Sequence, residues 1–194
     1  LFLKMPFTSI MMWIGSLAII GFPFFSGYYS KESILENAYF ASSNMGLYAY
    51  TVGIITALLT AFYSWRLLLM TFHGGTRATK EVFSNVRESS KVMTIPLAFL
   101  AIGSIFSGIF LSDYFIGSKE NDFWFASIAI SSNHYYLPFI QTLIIKFSIA
   151  LGILIAALFY FYHKELANAF ANNFKPLYLL SFNKWYVDEL YNNI

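Results

Sequence analysis

Several apolar runs in this sequence are long enough to cross a lipid bilayer. The stretch from Leu47 to Phe72 contains one charged residue, Arg66, and the stretch from Leu137 to Tyr162 contains only Lys146. About 20 apolar residues span a bilayer as a helix. Within lipid only helices and closed barrels satisfy every backbone polar group. Because no stretch shows the period-two alternation of a barrel strand, the sequence predicts an all-α integral membrane protein.

The composition agrees with this class. Of the 194 residues, 58% are apolar and 11% are charged, against roughly 25% charged residues in soluble domains. A net charge of +2 is too small to suggest a nucleic-acid partner. The chain has no cysteine, which excludes disulfides, thiolate-bound iron–sulfur clusters and thiol nucleophiles on this chain.

We predict a single membrane domain over residues 1–194 with about four transmembrane spans. The spans are expected near residues 7–40, 47–72, 94–111 and 137–162, and the first is a broken helix. An amphipathic C-terminal tail should lie at the membrane interface, where Trp185 and Tyr186 are well suited. The chain opens with LFLKMPFTSI, without an initiator methionine, which favours a fragment or the second half of a split protein.

The charges of the loops predict an orientation. The loop at 73–93 carries four basic residues, Arg77, Lys80, Arg87 and Lys91, whereas the loop at 112–137 carries only Lys119. Basic loops remain on the cytoplasmic or matrix side of a membrane. We therefore expect the first loop and the tail on that inner side, and the turn at 42–46 on the outer side.

The break in the first span is the strongest functional signal. The sequence GFPFFSGYYSKESILENAY, residues 21–39, interrupts an apolar helix and then places Lys31 on an apolar and aromatic helix face. Irregular backbone is tolerated within a membrane only when it is buried in protein or lines a cavity. A charge there costs at least ~2.5–3.5 kcal/mol, so it needs a partner or a function. The alternative is a packing kink, with Lys31 reaching the outer headgroups.

Lys31 and Glu32 are the candidate proton-transfer residues. Burial disfavours the charged form of a lysine, and a nearby carboxylate favours it. A lysine under both influences can bind and release a proton near neutral pH, and Glu32 and Glu36 share the neighbouring helix face.

Three further cationic side chains could have an electrostatic or structural role. Arg66 lies about seven residues before the loop at 73–93, and either pairs with an acid or reaches the inner headgroups. Lys146 lies in the fourth span, where reaching toward the outer headgroups is the favoured alternative. His73 precedes two glycines, which favours a residue near a helix C-cap.

The sequence predicts no metal site and no redox centre. Its three histidines, at 73, 134 and 163, are far apart, and the last two are expected at the interface. No glycine-rich phosphate loop, nucleophile elbow or HExxH motif occurs.

The stretch IGSLAIIGFPFFSGYYSKESILENAY resembles the broken helix of the largest antiporter-like subunit of respiratory complex I, chain 5 of NADH:quinone oxidoreductase. TAFYSWRLLLMTFHG and PLAFLAIGSIFSG are similar to the two helices that follow in that family. FNKWYVDELYNNI is similar to the stretch before its long lateral helix. The resemblance extends over essentially the whole chain and indicates a C-terminal portion of such a subunit.

The resemblance implies a role in coupling electron transfer from NADH to quinone to proton transport. Lys31 matches the family's lysine at the outward half-channel, and the resemblance implies that it exchanges protons with a hydrated cavity while Glu32 adjusts its proton affinity. NAD, FMN, iron–sulfur clusters and quinone would be bound by partner subunits, and the partners would be other membrane-arm subunits and the lipid bilayer. The location would be a bacterial inner or a mitochondrial inner membrane. Upstream helices with the remaining channel residues, and the lateral helix, have no counterpart here.

Two other functions are compatible with the sequence. A subunit of a multi-subunit (Mrp-type) cation/proton antiporter shares the broken lysine helix, although the D-x-L-Y-like tail argues against it. A structural membrane bundle without an ion path would contain the same apolar spans.

Overall fold

In the computed structural model, which describes residues 1–41, 43–125, 127 and 137–192, all regular elements are helices. The predicted all-α membrane class is confirmed. The α-helices are α1 (Pro6–Ile20), α2 (Ser26–Phe40), α3 (Asn44–Leu68), α4 (Lys80–Asn85), α5 (Lys91–Phe115), α6 (Glu120–Trp124), α7 (Phe139–Ala157), α8 (Lys164–Asn173), α9 (Lys175–Phe182) and α10 (Val187–Asn192). Two π-helical turns, Leu69–His73 and Leu158–Tyr162, extend α3 and α7, and a 3-10 turn, Lys184–Tyr186, precedes α10.

Three of these helices are long and apolar enough to cross a membrane. They cover Asn44–His73, Lys91–Phe115 and Phe139–Tyr162. Their ends differ by a few residues from the predicted ranges. The second span begins at Asn44 rather than 47, because the Ser43 hydroxyl caps the helix by accepting a hydrogen bond from the Gly46 amide at 3.1 Å.

The first span consists of two 15-residue helices, α1 and α2. Each is roughly 22 Å long, too short for a hydrocarbon core of roughly 30 Å. The beginning of the chain lies beside the end of the second span, where the Phe2 amide donates to the Phe72 carbonyl at 3.5 Å. At the far end of α2, Glu36 contacts Leu137 next to the start of α7. The two short helices together therefore extend from one end of the bundle to the other.

Small residues bring the helices close together. α3 and α7 pack along their length, and a Cβ atom added to Gly152 would lie 2.3 Å from the Leu58 carbonyl oxygen. On the other side of the broken helix, Gly108 of α5 lies against Ser26 and Tyr29. Small side chains at interfaces allow such close approach in membrane proteins.

The two π-helical turns contact each other at one end of the bundle. The segment after His73 and the tail after Tyr162 therefore leave from the same end. The tail begins with the amphipathic helix α8, whose Phe170 packs against Phe159 with ring centroids 6.3 Å apart. The side of the membrane that this end faces, and the single-domain organisation, remain predictions.

Candidate functional site

The break between α1 and α2 is a compact turn formed by residues 21–25. Gly21 adopts a left-handed conformation, with φ of 81°, which glycine tolerates without steric cost. Its amide donates to the Ala18 carbonyl at 3.1 Å, and the next amide, of Phe22, donates to the Leu17 carbonyl at 3.0 Å. These two bonds end α1 as a Schellman-type cap. Pro23 follows, where it cannot continue the helix.

Gly27 allows α2 to begin directly against the end of α1. A Cβ atom at this position would lie 1.9 Å from the Ala18 carbonyl oxygen and 3.8 Å from the Gly21 Cα. No side chain can occupy that space without moving the backbone. The glycine therefore fixes how closely the two half-helices meet.

Lys31 extends back over this break. Its Cδ atom lies 3.3 Å from the position that a Cβ atom of Gly21 would occupy. Its Nζ atom is buried and has no hydrogen-bond partner among the described residues. The C-terminal end of α1 carries partial negative charge, which favours a cation nearby. The lysine therefore lies at the C-terminal end of α1, and no side chain in the described part of the chain hydrogen-bonds its amine.

A small cavity of about 30 Å³ lies between α2 and α7. A water molecule needs roughly 10–15 Å³, so the cavity has room for water. Its lining includes both predicted proton-transfer residues and Lys146. The residues around it are Gly21, Tyr28, Lys31, Glu32, Leu35, Ala57, Thr142, Ile145, Lys146 and Ile149.

Glu32 lines the cavity and interacts with the Tyr28 hydroxyl, one helical turn earlier. In the described part of the chain, no ion pair within 4.0 Å joins it to Lys31. The two side chains share the cavity, so any influence of the carboxylate on the lysine acts across that space. The role assigned to Glu32 remains a prediction.

Arg66 lies outside the cavity, toward the other end of the bundle. Its side chain is exposed and its guanidinium carbon is 5.4 Å from the centroid of the Tyr160 ring. Phe62 packs on the same ring, with a centroid distance of 6.0 Å. The arginine therefore contributes to the packing of α3 against the end of α7 through a cation–π contact.

His73 is the last residue of the first π-helical turn. Its ring lies 5.6 Å from Trp13 and 5.9 Å from Phe2, measured between centroids. Gly74 follows with φ of −76° and ψ of 166°, so the helix ends in extended backbone and not in a left-handed cap. The histidine belongs to an aromatic cluster. His163 is exposed after the second π-helical turn, and His134 lies outside the described residues.

Two carboxylates have structural contacts that the sequence pattern did not reveal. Glu36 accepts a hydrogen bond from the Leu137 amide at 2.9 Å, which connects α2 to the beginning of α7. Glu88 accepts from the Phe7 amide at 3.0 Å and from the Thr8 amide and hydroxyl, which caps α1. These partners are 101 and 81 positions away, so helical periodicity cannot indicate them. Within the described ranges, no group of three His, Cys, Asp or Glu side chains could hold a metal ion.

Comparison with known proteins identifies the family. A family model described as "NADH:quinone oxidoreductase/Mrp antiporter, TM" matches residues 1–60. NADH-ubiquinone oxidoreductase chain 5 of Phytophthora infestans is 41% identical over 197 residues, which cover 96% of this chain and 29% of the relative. This chain belongs to the chain 5 family of NADH:quinone oxidoreductase. The resemblance noted in the sequence is thereby confirmed.

Other chain 5 relatives agree. The protein of the same name from Schizophyllum commune is 40% identical over 97% of this chain and 29% of the relative. NADH-quinone oxidoreductase subunit L of Rickettsia bellii is 36% identical over 97% of this chain and 30% of the relative. The chain thus spans about 29% of the length of the chain 5 proteins that it matches.

Proposed function

We propose that this chain is part of a proton-translocating membrane-arm subunit of NADH:quinone oxidoreductase, and that it contributes to an enzyme that couples NADH oxidation by quinone to proton transport. The observation that carries the proposal is Lys31 at the break of α1 and α2, whose amine is buried and whose side chain lines a cavity with room for water. In a member of the chain 5 family, an amine in this position is suited to binding and releasing a proton.

The mechanism follows from the environment of Lys31. The C-terminal end of a helix favours a nearby cation, whereas burial of a charged group favours its neutral form. A small change in the charge around the cavity can therefore shift the amine between these two forms. Glu32 would supply part of that charge, since it lines the same cavity.

The comparisons favour this function over the Mrp-type antiporter. The family model covers both classes, but it matches only residues 1–60. The relatives that cover nearly the whole chain are named as chain 5 or as subunit L of NADH:quinone oxidoreductase. The distinction between the chain 5 family and the Mrp-type antiporter therefore depends on the segments after residue 60.

The proposed partners follow from the proposed complex. Other membrane-arm subunits and lipid would surround the apolar helices, whose large side chains are extensively exposed in the isolated chain. NAD, FMN, iron–sulfur clusters and quinone would be held by partner subunits. The complex would lie in a bacterial inner membrane or a mitochondrial inner membrane.

The experiment has two stages and uses the full-length subunit in its membrane. Solubilised membranes are first separated on a native gel and stained for NADH dehydrogenase activity, and this chain is traced by peptide mass spectrometry. Peptides in the large active band support the proposal, and peptides confined to a smaller inactive assembly contradict it.

The second stage compares Lys31→Met with Lys80→Met, a control at the exposed start of α4. NADH oxidation and acidification are measured together in the same sealed vesicles, after the native gel has shown assembly. We expect Lys31→Met to move fewer protons per NADH than the control. Equal pumping by the two assembled variants would instead indicate a structural role for this lysine.

A further inference from the structure

Two helices present matching residues to the cavity. α2 contributes Tyr28, Lys31, Glu32 and Leu35, and α7 contributes Thr142, Ile145, Lys146 and Ile149. Both sets follow the spacing i, i+3, i+4, i+7, which is one face of a helix. Each face thus has ionisable side chains at its centre, and the two faces meet across the cavity.

The position of α7 is fixed on both sides of Lys146. The Tyr50 hydroxyl donates to the Gln141 side-chain oxygen at 2.8 Å, five residues before the lysine. Gly152, six residues after it, fits against the Leu58 carbonyl. These contacts set the register of α7 against α3 and keep Lys146 at the level of the cavity.

The two lysines differ in burial. The Lys31 Nζ atom is buried, whereas the side chain of Lys146 is exposed in the isolated chain. The cavity is therefore lined by one lysine with an enclosed amine and by one on an exposed helix face. The Tyr28 and Thr142 hydroxyl groups and the Glu32 carboxylate also line it, and α3 contributes the apolar Ala57. These oxygen atoms provide hydrogen-bond partners for water between the amines.

We propose that Lys146 is a second proton-carrying residue, which exchanges protons with Lys31 through this cavity. This inference rests on the proposed function. In the exchange, the Lys31 ammonium gives one proton to water in the cavity, and the neutral Lys146 amine takes one proton from that water. Lys31 becomes neutral and Lys146 becomes charged, so the net charge is unchanged. Lys146 then gives the proton to a further water molecule and returns to its neutral form.

The competing role for Lys146 is purely electrostatic, in which its fixed positive charge promotes proton release from Lys31. Substitution by arginine separates the two roles. Arginine keeps the charge and a similar length but does not lose a proton in proteins. A proton carrier is therefore inactivated by arginine, and a fixed charge is preserved by it.

The test uses Lys146→Arg and Lys146→Met in the assembled complex, with Lys175→Arg and Lys175→Met as controls in the exposed helix α9. We expect both Lys146 variants to slow proton transfer through this site by about 100-fold or more, the usual effect of removing a proton-transfer group. Protons moved per NADH should fall in both variants and remain normal in the controls. Normal pumping by Lys146→Arg would overturn the inference.

Lys146→Arg retains the charge and approximate length of the side chain, so the test does not depend on whether Lys146→Met assembles. Lys31→Met distinguishes the two proposals. Normal pumping in Lys31→Met would contradict the proposed function, and with it this inference. Reduced pumping in Lys31→Met together with normal pumping in Lys146→Arg would contradict this inference alone.

Discussion

The two ends of the helix bundle place their basic side chains in different surroundings. Between α2 and α7, the Lys31 amine is buried beside a cavity and has no hydrogen-bond partner among the described residues. At the other end, Arg66 lies over the ring of Tyr160 and His73 packs against Trp13. Aromatic rings pack against both basic side chains at this second end. The cavity is the space through which Lys31 is proposed to exchange its proton.

The difference shows that one apolar bundle can give its basic side chains different surroundings. An aromatic face stabilises a positive charge without accepting a proton. A cavity beside a buried amine instead has room for water, which can accept a proton. Charged residues in membrane spans can therefore be grouped by whether an aromatic ring or a cavity lies beside them.

The largest effect on assembly and stability is expected from a change at the break between α1 and α2, beside the cavity. Gly27→Ala places a Cβ atom 1.9 Å from the Ala18 carbonyl oxygen, so α1 and α2 must move apart. Such overpacking costs ~1–3 kcal/mol or more. We expect reduced assembly on a native gel and lower thermal stability of the complex that does form.

Gly15→Ala is the matched control for this prediction, because Gly15 lies in α1 and an added Cβ meets nothing within 4 Å. Alanine is also favoured over glycine within a helix. If Gly27→Ala assembled as well as Gly15→Ala, the close contact at the break would not matter for the fold.

A smaller effect is expected at the aromatic end. Arg66→Gln removes the cation–π contact with Tyr160, which is worth about 0.5–1 kcal/mol at an exposed site. We expect slightly lower thermal stability and unchanged protons per NADH. Tyr160→Leu should have a similar effect and Tyr160→Phe almost none, since phenylalanine retains the ring. Loss of pumping in a fully assembled Arg66→Gln complex would remove the distinction between the two ends.

The smallest effect at neutral pH concerns the cap of α1, near the aromatic end. Hydrogen bonds from Thr8 and Phe7 hold the pKa of the Glu88 carboxyl below its ordinary value of 4.5. A lowered pKa in the folded state means that the cap contributes stability above this ordinary value. That contribution is lost as the pH falls through the folded-state pKa.

Glu88→Gln should therefore be less stable than the native complex at pH 7, and this difference should disappear as the pH falls below about 4.5. Thermal melting of the complex over a pH series measures it. Glu81→Gln, in the exposed helix α4, is the control. A stability difference that is independent of pH would show that the charge of Glu88 does not contribute.

Much of the helical framework could be predicted from the sequence. Long apolar runs require helices in lipid, and glycine and proline at positions 21 and 23 mark the break. The ends of the helices could be predicted less well, because they depend on local capping. Ser43 extends α3 by three residues beyond the predicted start, and both π-helical turns lie within apolar runs that show no sign of them.

The contacts of the acidic residues could not be predicted. Glu36 and Glu88 bond to backbone amides that are distant in sequence, at the starts of α7 and α1. A helix start needs hydrogen-bond acceptors, but the sequence does not specify which segment provides them. Only the packed bundle brings these carboxylates to the helix starts.

The sequence by itself determined the membrane class, the broken helix and the isolated charges. It could not distinguish Arg66 from Lys146, because each is the single cation of an apolar span. The tertiary structure separated them: Arg66 contacts an aromatic ring, and Lys146 faces the cavity that contains Lys31. The physical reason is that the environment of a side chain depends on the neighbouring helix, and the register of that helix is set by contacts such as Gly152 against Leu58.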